Sequence, residues 1–506
     1  MIEIFIILFA FTLRVLPRVF LKNSWNTDTY FHMAFSRIIR ENSFKIPESK
    51  KQISLPDRVD YPWLFHWIFA FIPDDYLKVA EKTSSAMIDM IHIYLAIWFS
   101  NRFLSNISFE NAEELSLWIG FFIAIVPSFL RVGMGPRAYN ATPRVLSQLL
   151  FTIFFSCIVL WYQEDSILWI GLSVISASLL FLSSRFGIQA LLFISIVLMI
   201  MGYIEVLILL IAGFLLSLLF FKKHILWIYE GHFNSMKYYY TTLADNFTGL
   251  KEQKGCIGCY FQRMKENFMT KKMINWFFMD QYPLHILVFF IPQIWILFIF
   301  NDSIAEEYIF IYDIIIASLV VFLLVLIPKF IFIGEAERYL EHTVFFQIFL
   351  FIVLFHNNES VLYILASWFL LCYTQYIRLY IKYNSKNNNI GEKIAPFLKE
   401  IDKENNIVYP LGGYSWILLY YLKYARVCYP ASSWNTVISK NDLDKLVGNY
   451  PYPGVDLYEL KLQFGITHIV TDINSFNKYK ELIKESKNYT YDILSQNDIY
   501  IILKLK

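Results

Sequence analysis

The sequence predicts an α-helical polytopic membrane protein, with about eleven transmembrane helices in residues 1–383 and a small soluble α/β domain in 384–506. Three observations predict it. Of the 506 residues, 57% are hydrophobic and 19% aromatic, which is too apolar for a soluble globule and far too apolar for disorder. Apolar runs near the ~20 residues that cross a bilayer recur along most of the chain. After Lys382 the character changes: a polar linker, Asn384 to Asn389, precedes short strand-like and helix-like runs in alternation.

In chain order the spans fall at 2–20, 84–104, 114–131, 144–163, 166–183, 187–202, 203–221, 283–300, 308–328, 343–356 and 361–382. The first lacks a basic leader and a small-residue cleavage site, so it reads as a membrane helix rather than a signal peptide. The stretch 187–221 is divided at Gly202-Tyr203-Ile204-Glu205, because a carboxylate in lipid is costly. One long tilted helix plus an interfacial piece is the alternative.

Two long loops interrupt the spans. The first, 17–82, is long for a structureless connection. It contains an amphipathic helix from Tyr30 to Arg40, a polar stretch from Lys45 to Asp60, and an apolar run, Tyr61 to Pro73, that is too short to span. That run suits a helix lying at headgroup level. The second loop, 222–282, is basic and aromatic, and attraction to anionic headgroups is its expected role. Its Cys256 and Cys259 make a lone Cys-x-x-Cys, read as a local disulfide or two free thiols rather than zinc. In the C-terminal domain Asn406 to Tyr409, Thr467 to Thr471 and Tyr500 to Leu505 read as strands, and Tyr414 to Tyr424 and Asn477 to Ser486 as helices. Gly412-Gly413 lacks the third glycine of a dinucleotide fingerprint. The net charge of +2, from 44 basic and 42 acidic residues, points to no nucleic-acid partner.

Span counting places four polar segments on one membrane face, namely the first loop with Asp28, the turn Arg131 to Arg144, the loop Lys329 to His342 and the C-terminal domain, and the turn Ser183 to Phe186 falls there too. Asn26-Thr27-Asp28-Thr29-Tyr30-Phe31-His32 sets an acid, a phenol and an imidazole at a bilayer edge. It reads either as a capped turn or as a site. Gly334 to His342 holds Glu335, Glu337, Glu341, Arg338 and His342. Helical spacing would make Glu337, Glu341 and Arg338 a solvated surface pair; proximity to lipid, where unpaired charge is costly, argues for a site, with Glu335 paired to Asp28 across a cleft. The turn Gly133 to Arg144 carries Arg137, Asn140 and Arg144, and the turn Ser183-Ser184-Arg185-Phe186 adds Arg185. Guanidinium forks suit phosphate oxygens; arginines snorkelling at helix ends are the bland reading. A lipid-linked phosphosugar has matching needs: a tail in the bilayer, cations for phosphate, and a carboxylate base for the acceptor.

These residues resemble the GT-C superfamily of polytopic glycosyltransferases. The Asp28-x-Tyr30-x-His32 stretch after the first helix carries the resemblance. So does Tyr61-Pro62-Trp63-Leu64-Phe65-His66-Trp67, which is similar to a segment of the protein mannosyltransferase-like branch. Ser183 to Ala190 is similar to another recurring stretch. Gly413-Tyr414-Ser415-Trp416-Ile417, with Arg426 and Ser433-Trp434-Asn435-Thr436, resembles the signature block of oligosaccharyltransferase catalytic subunits. The departures are specific. Tyr409-Pro410-Leu411-Gly412 stands where that family begins Trp-Trp-Asp-Tyr-Gly, so its sequon reader is missing. The turn 131–144 offers Asn140 and arginines where the family has a carboxylate pair, which counts against a bound metal.

The resemblance implies an inverting glycosyltransferase of the plasma membrane, its site extracytoplasmic. It would move a sugar or oligosaccharide from a polyprenyl-phosphate or -pyrophosphate donor to a glycan, lipid or protein acceptor, among membrane lipids. It makes Asp28 the catalytic base or acceptor positioner and Glu335 the late-loop acid. These two would hold a divalent cation, Mg or Mn, if one is used. Arg137, Arg144, Arg185 and Arg338 are donor-phosphate candidates from charge and side, with Asn140, Tyr30, His32 and His66 as further substrate contacts. A transporter or flippase of lipid-linked saccharides, a non-catalytic scaffold and an oligosaccharyltransferase-like enzyme with a non-sequon acceptor are the alternatives. The first needs mid-span charges and internal repeats, of which the sequence has few and none. The basic first and second loops point inward by the positive-inside rule, against the orientation the resemblance implies.

Overall fold

In lipid every backbone N–H and C=O must be satisfied within its own segment, so long apolar runs become helices. The computed structural model describes residues 1–21, 27–127, 140–238, 257–280, 282–300, 304–386, 390–429, 438–449, 451–483, 491–496 and 499–506. Its helices begin with α1 (Ile2–Phe20), α2 (Thr27–Glu41), α3 (Leu64–Ala70), α4 (Leu77–Asn106), α5 (Ala112–Ile125), α6 (Pro143–Glu164), α7 (Ile167–Phe181), α8 (Arg185–Ile200) and α9 (Ile204–Tyr238). They continue with α10 (Ile257–Asn267), α11 (Met273–Met279), α12 (Pro283–Phe290), α13 (Pro292–Phe300), α14 (Ile309–Leu326), α15 (Glu337–His342), α16 (Val344–Phe355) and α17 (Glu359–Lys386). The C-terminal run is α18 (Ile390–Ile401), β1 (Ile407–Pro410), α19 (Ser415–Tyr421), β2 (Arg426–Val427), α20 (Lys440–Val447), α21 (Leu457–Phe464), β3 (His468–Asp472), α22 (Ile473–Ile483), β4 (Tyr491–Gln496) and β5 (Tyr500–Leu505).

Among the described residues four helices are long and apolar enough to cross a membrane: Pro143–Glu164, Ile204–Asn234, Glu306–Leu326 and Glu359–Lys382. Three shorter apolar helices, Ile167–Phe181, Arg185–Ile200 and Val344–Phe355, accompany them. This is an integral membrane protein, but eleven spans are more than these helices support. The reasons are local. The expected span 283–300 breaks at Ile291-Pro292 into helices of 8 and 9 residues, since proline lacks the N–H the helix needs. The helix expected over 114–131 ends at Ile125 after 14 residues. α1 carries Arg14 and Arg18, and α4 carries Asp89. The division within 187–221 is present: α8 ends at Ile200, and Gly202 takes φ +113, a left-handed turn that glycine allows. Phe221 (φ −134, ψ 35) then kinks α9. The basic stretch 222–282 is helical where described, as the end of α9 with α10 and α11, rather than a loop. The expected linker is helical through Lys386.

The chain forms two compact units. One comprises Met1–Lys22, Lys78–Lys222 and Tyr239–Lys386; the other comprises Asn23–Leu77, Lys223–Tyr238 and Asn387–Lys506. The first, the helical unit, is laced by buried polar contacts. Arg14 Nε lies 2.8 Å from Asp89 Oδ2, and Arg18 pairs with Glu81. Two buried ion pairs thus join α1 and α4.

The second, the sheet unit, holds five strands in the order β2-β1-β3-β5-β4. β1 runs parallel to β2 and β3, while β5 runs antiparallel to β3 and β4. The long first loop completes this sheet. Ile53 forms a parallel bridge with Val427, Val427 N–H donates to Gln52 O at 2.7 Å, and Ser54 N–H donates to Val427 O at 3.0 Å. Ala34, Ile53 and Leu55 are buried in one core with Val408, Leu418, Ile469 and Leu503. Chain segments more than 350 residues apart (53 to 427) therefore share one hydrophobic core.

Candidate functional site

Asp28 occupies the first turn of α2, where a carboxylate suits the positive end of the helix dipole, and its side chain is exposed. The next turn is held from beneath. Tyr30 is 2% exposed and packs at 5.6 Å on Tyr420 and 5.8 Å on Tyr421. Phe31 lies 4.6 Å from the Trp416 ring and 5.2 Å from the Tyr61 ring. Further along, Arg37 donates to Leu419 O at 3.3 Å and stacks on Tyr420. The Asp28 stretch, the Tyr61 to His66 segment and the Trp416 block are thereby gathered in one unit. Nothing in sequence spacing foretells the contact of Phe31 with Trp416.

His32 Nδ1 and His66 Nε2 share a proton position at 2.9 Å. Both rings are buried, and aromatic rings of Phe31, Phe35, Tyr61 and Phe65 surround them. Burial, and then the neighbouring His32, push the His66 imidazole well below its ordinary value. Near neutrality His66 is an uncharged hydrogen-bonding ring rather than a cation for phosphate.

The helical unit presents a second cluster. Thr142 caps α6, with Pro143 at the first helical position and Arg144 next. Ser184 caps α8, whose first residues are Arg185 and Phe186. The Arg338 guanidinium lies 3.8 Å from the Phe186 ring centre and that of Arg144 lies 5.6 Å from it. Arg338 also forms an ion pair with Glu335, with 7% and 13% of the two side chains exposed. Gly334 makes the approach feasible: at φ +122, a Cβ there would stand 3.3 Å from Gln189 Oε1 and 3.6 Å from the Phe186 ring. Glu337 is buried, and the Glu341 carbonyl accepts from Gln148 Nε2 at 3.3 Å. Asn140 is anchored by Ser85 Oγ, which donates to its carbonyl at 2.5 Å, and by Tyr380 OH, at 3.4 Å from its Oδ1.

So Arg144, Arg338 and Glu335 meet around Phe186, with Arg185 beside that ring in sequence. Asp28, Tyr30, His32 and His66 belong to the other unit. Arg137, Cys256 and Ser433 to Thr436 lie outside the described residues, as does the Cys259 side chain. Phe186 had no assigned role in the sequence, although an aromatic directly after Arg185 was a usable signal for stacked guanidiniums. Among the described residues no three His, Cys, Asp or Glu side chains gather as a metal site. Glu335, a candidate holder of a divalent ion, is engaged by Arg338.

No protein-family model matches the sequence, and no curated protein matches it. The structure is similar to the crystal structure of Archaeoglobus fulgidus oligosaccharyltransferase in complex with Zn and sulfate. The identity is 12%, 99% of this chain and 73% of that chain are covered, and the TM-score is 0.55. ArnT from Cupriavidus metallidurans bound to undecaprenyl phosphate is 10% identical, with 99% of this chain and 97% of that chain covered, at a TM-score of 0.49. At such identities the likeness is one of fold. The fold is that of an α-helical membrane protein with a small β-containing C-terminal region, similar in fold to the Archaeoglobus fulgidus structure.

Proposed function

We propose that the protein is an inverting membrane glycosyltransferase that takes its sugar or oligosaccharide from a polyprenyl-phosphate or -pyrophosphate donor. The observation that carries this is the gathering of the Asp28 turn, the Tyr61 to His66 segment and Trp416 in one unit, with Asp28 exposed above the packed aromatics. The fold likeness to an oligosaccharyltransferase supports it. In the proposed reaction an acceptor hydroxyl or amide attacks the anomeric carbon. Its proton passes to the Asp28 carboxylate, the anomeric C–O bond breaks, and the electron pair leaves on the phosphate oxygen. Arg137, Arg144, Arg185 and Arg338 are the proposed partners of that phosphate charge. The acceptor would be a glycan, lipid or protein without the sequon, since Tyr409 and Leu411 are buried in the sheet-unit core.

Asp28→Asn tests the assignment. It leaves the Tyr30, Phe31 and His32 packing in place and removes the base. Transfer from a polyprenyl-phosphate sugar should fall by about 10²-fold or more, with normal expression and an unchanged thermal midpoint. Unchanged transfer would refute Asp28 as the catalytic carboxylate. A transporter of the same lipids would move them across vesicles with the sugar still attached.

A further inference from the structure

Glu335 and Arg338 are both candidate site residues, yet they are bound to each other. The carboxylate sits against the guanidinium, and both side chains are largely shielded from water. Arg338 has a second hold that does not need Glu335: its guanidinium lies 3.8 Å from the centre of the Phe186 ring. A guanidinium stacked on an aromatic face keeps its in-plane N–H donors free to turn from one oxyanion to another. The same ring is approached by Arg144 at 5.6 Å, so an anion arriving at Arg338 meets a second cation nearby. Gly334 lets the backbone of Glu335 lie close to this ring: its φ of +122 is one that side chains rarely adopt, and a Cβ there would press on Gln189 Oε1 at 3.3 Å. Glu335 therefore hangs from a turn, one residue beyond a glycine, while Arg338 is fixed on a helix and a ring.

We infer that the Glu335–Arg338 ion pair is a latch opened by the phosphate of a lipid-linked donor, which replaces the carboxylate on Arg338 and frees Glu335 for the acceptor. This rests on the glycosyltransferase reading and adds an order to it: the donor phosphate binds first, and a competent Glu335 exists only afterwards. A phosphate carries more charge and more acceptor oxygens than a carboxylate, so the exchange is favourable once the Arg144 contribution is added. Because two anions compete for one cation, linkage fixes the sign of the effect: removing Glu335 must tighten phosphate binding.

The test measures binding of undecaprenyl phosphate, without sugar, to the full-length protein in nanodiscs. Glu335→Gln and Glu335→Ala should each tighten binding by about three- to tenfold while lowering transfer. Arg338→Gln should weaken binding, and Glu335→Gln added to it should bring no gain. Phe186→Leu should weaken binding in wild type and in Glu335→Gln alike. Two Glu335 variants are included so that misfolding of one still leaves a reading, with the thermal midpoint of each as the check. Equal or weaker binding by both folded variants, alongside measurable wild-type binding, overturns the latch and leaves the glycosyltransferase reading standing. A wild-type protein that binds no polyprenyl phosphate overturns both.

Discussion

Arg14 and Asp89 have 0% and 3% of their side chains exposed, deep between α1 and α4. On the guanidinium side the burial is compensated by further hydrogen bonds: Arg14 donates to Tyr373 OH at 3.3 Å, to the Ile123 carbonyl at 3.4 Å, and to the Ala124 carbonyl. Removing one partner leaves a buried charge, which costs about 3–5 kcal/mol. Arg14→Leu should therefore lower the thermal midpoint in detergent by several degrees. Arg14→Leu with Asp89→Leu should recover more than half of that loss, because two apolar side chains leave no charge behind. A double variant no more stable than the single one would show that the two side chains are not coupled. The nearby Arg18–Glu81 pair extends the same seam, with Arg18 donating to Tyr380 OH at 3.1 Å. That hydroxyl in turn reaches Asn140.

At the scale of the element, α2 decides where Asp28 stands, and α2 is held by helices from the far end of the sequence. Its tightest point is Tyr30 against α18. A Cβ on Gly391 would lie 2.2 Å from the Tyr30 hydroxyl and 2.9 Å from Tyr421 Cε2. Gly391→Ala should thus push α2 off its seat at a cost of about 1–3 kcal/mol. Proteolysis between residues 27 and 77 should speed up, and transfer should fall although no reacting group has changed; an unaltered cleavage rate would mean that this packing does not hold α2. The helix itself was legible from its amphipathic pattern, as were β1, β3, β5, α19 and α22, because local apolar periodicity specifies each. β2 was not legible: it has two residues, and it is a strand only because β1 lies on one side and Ile53 on the other. The site was legible in part. Arg144, Arg338 and Glu335 were named from charge beside lipid, and they meet around Phe186. That Glu335 is tied to Arg338 needed the left-handed turn at Gly334, and the seat of Tyr30 on Tyr420 and Tyr421 needed a contact spanning 390 positions (30 to 420).

Taken as a whole molecule, the sheet unit constrains how the chain threads the membrane. Residues 23–77, 223–238 and 387–506 pack as one unit, so all three must lie on one side. The chain between 77 and 223, and again between 238 and 387, must then cross the bilayer an even number of times. The break at Gly202, between α8 and α9, changes the parity of the first of these stretches by one. Lys223 pairs with Glu48 and Arg58 lies 2.5 Å from Glu230, so the basic residues of two loops that the positive-inside rule treats as separate signals belong to one structure. Cysteines placed at exposed Ser49 and Asn477 of an otherwise cysteine-free protein should label from the same face of the membrane. On the glycosyltransferase reading that face is the extracytoplasmic one. Labelling from opposite faces would contradict the Ile53–Val427 bridge, whereas labelling of both from the cytoplasm alone would keep the fold and reverse the proposed orientation.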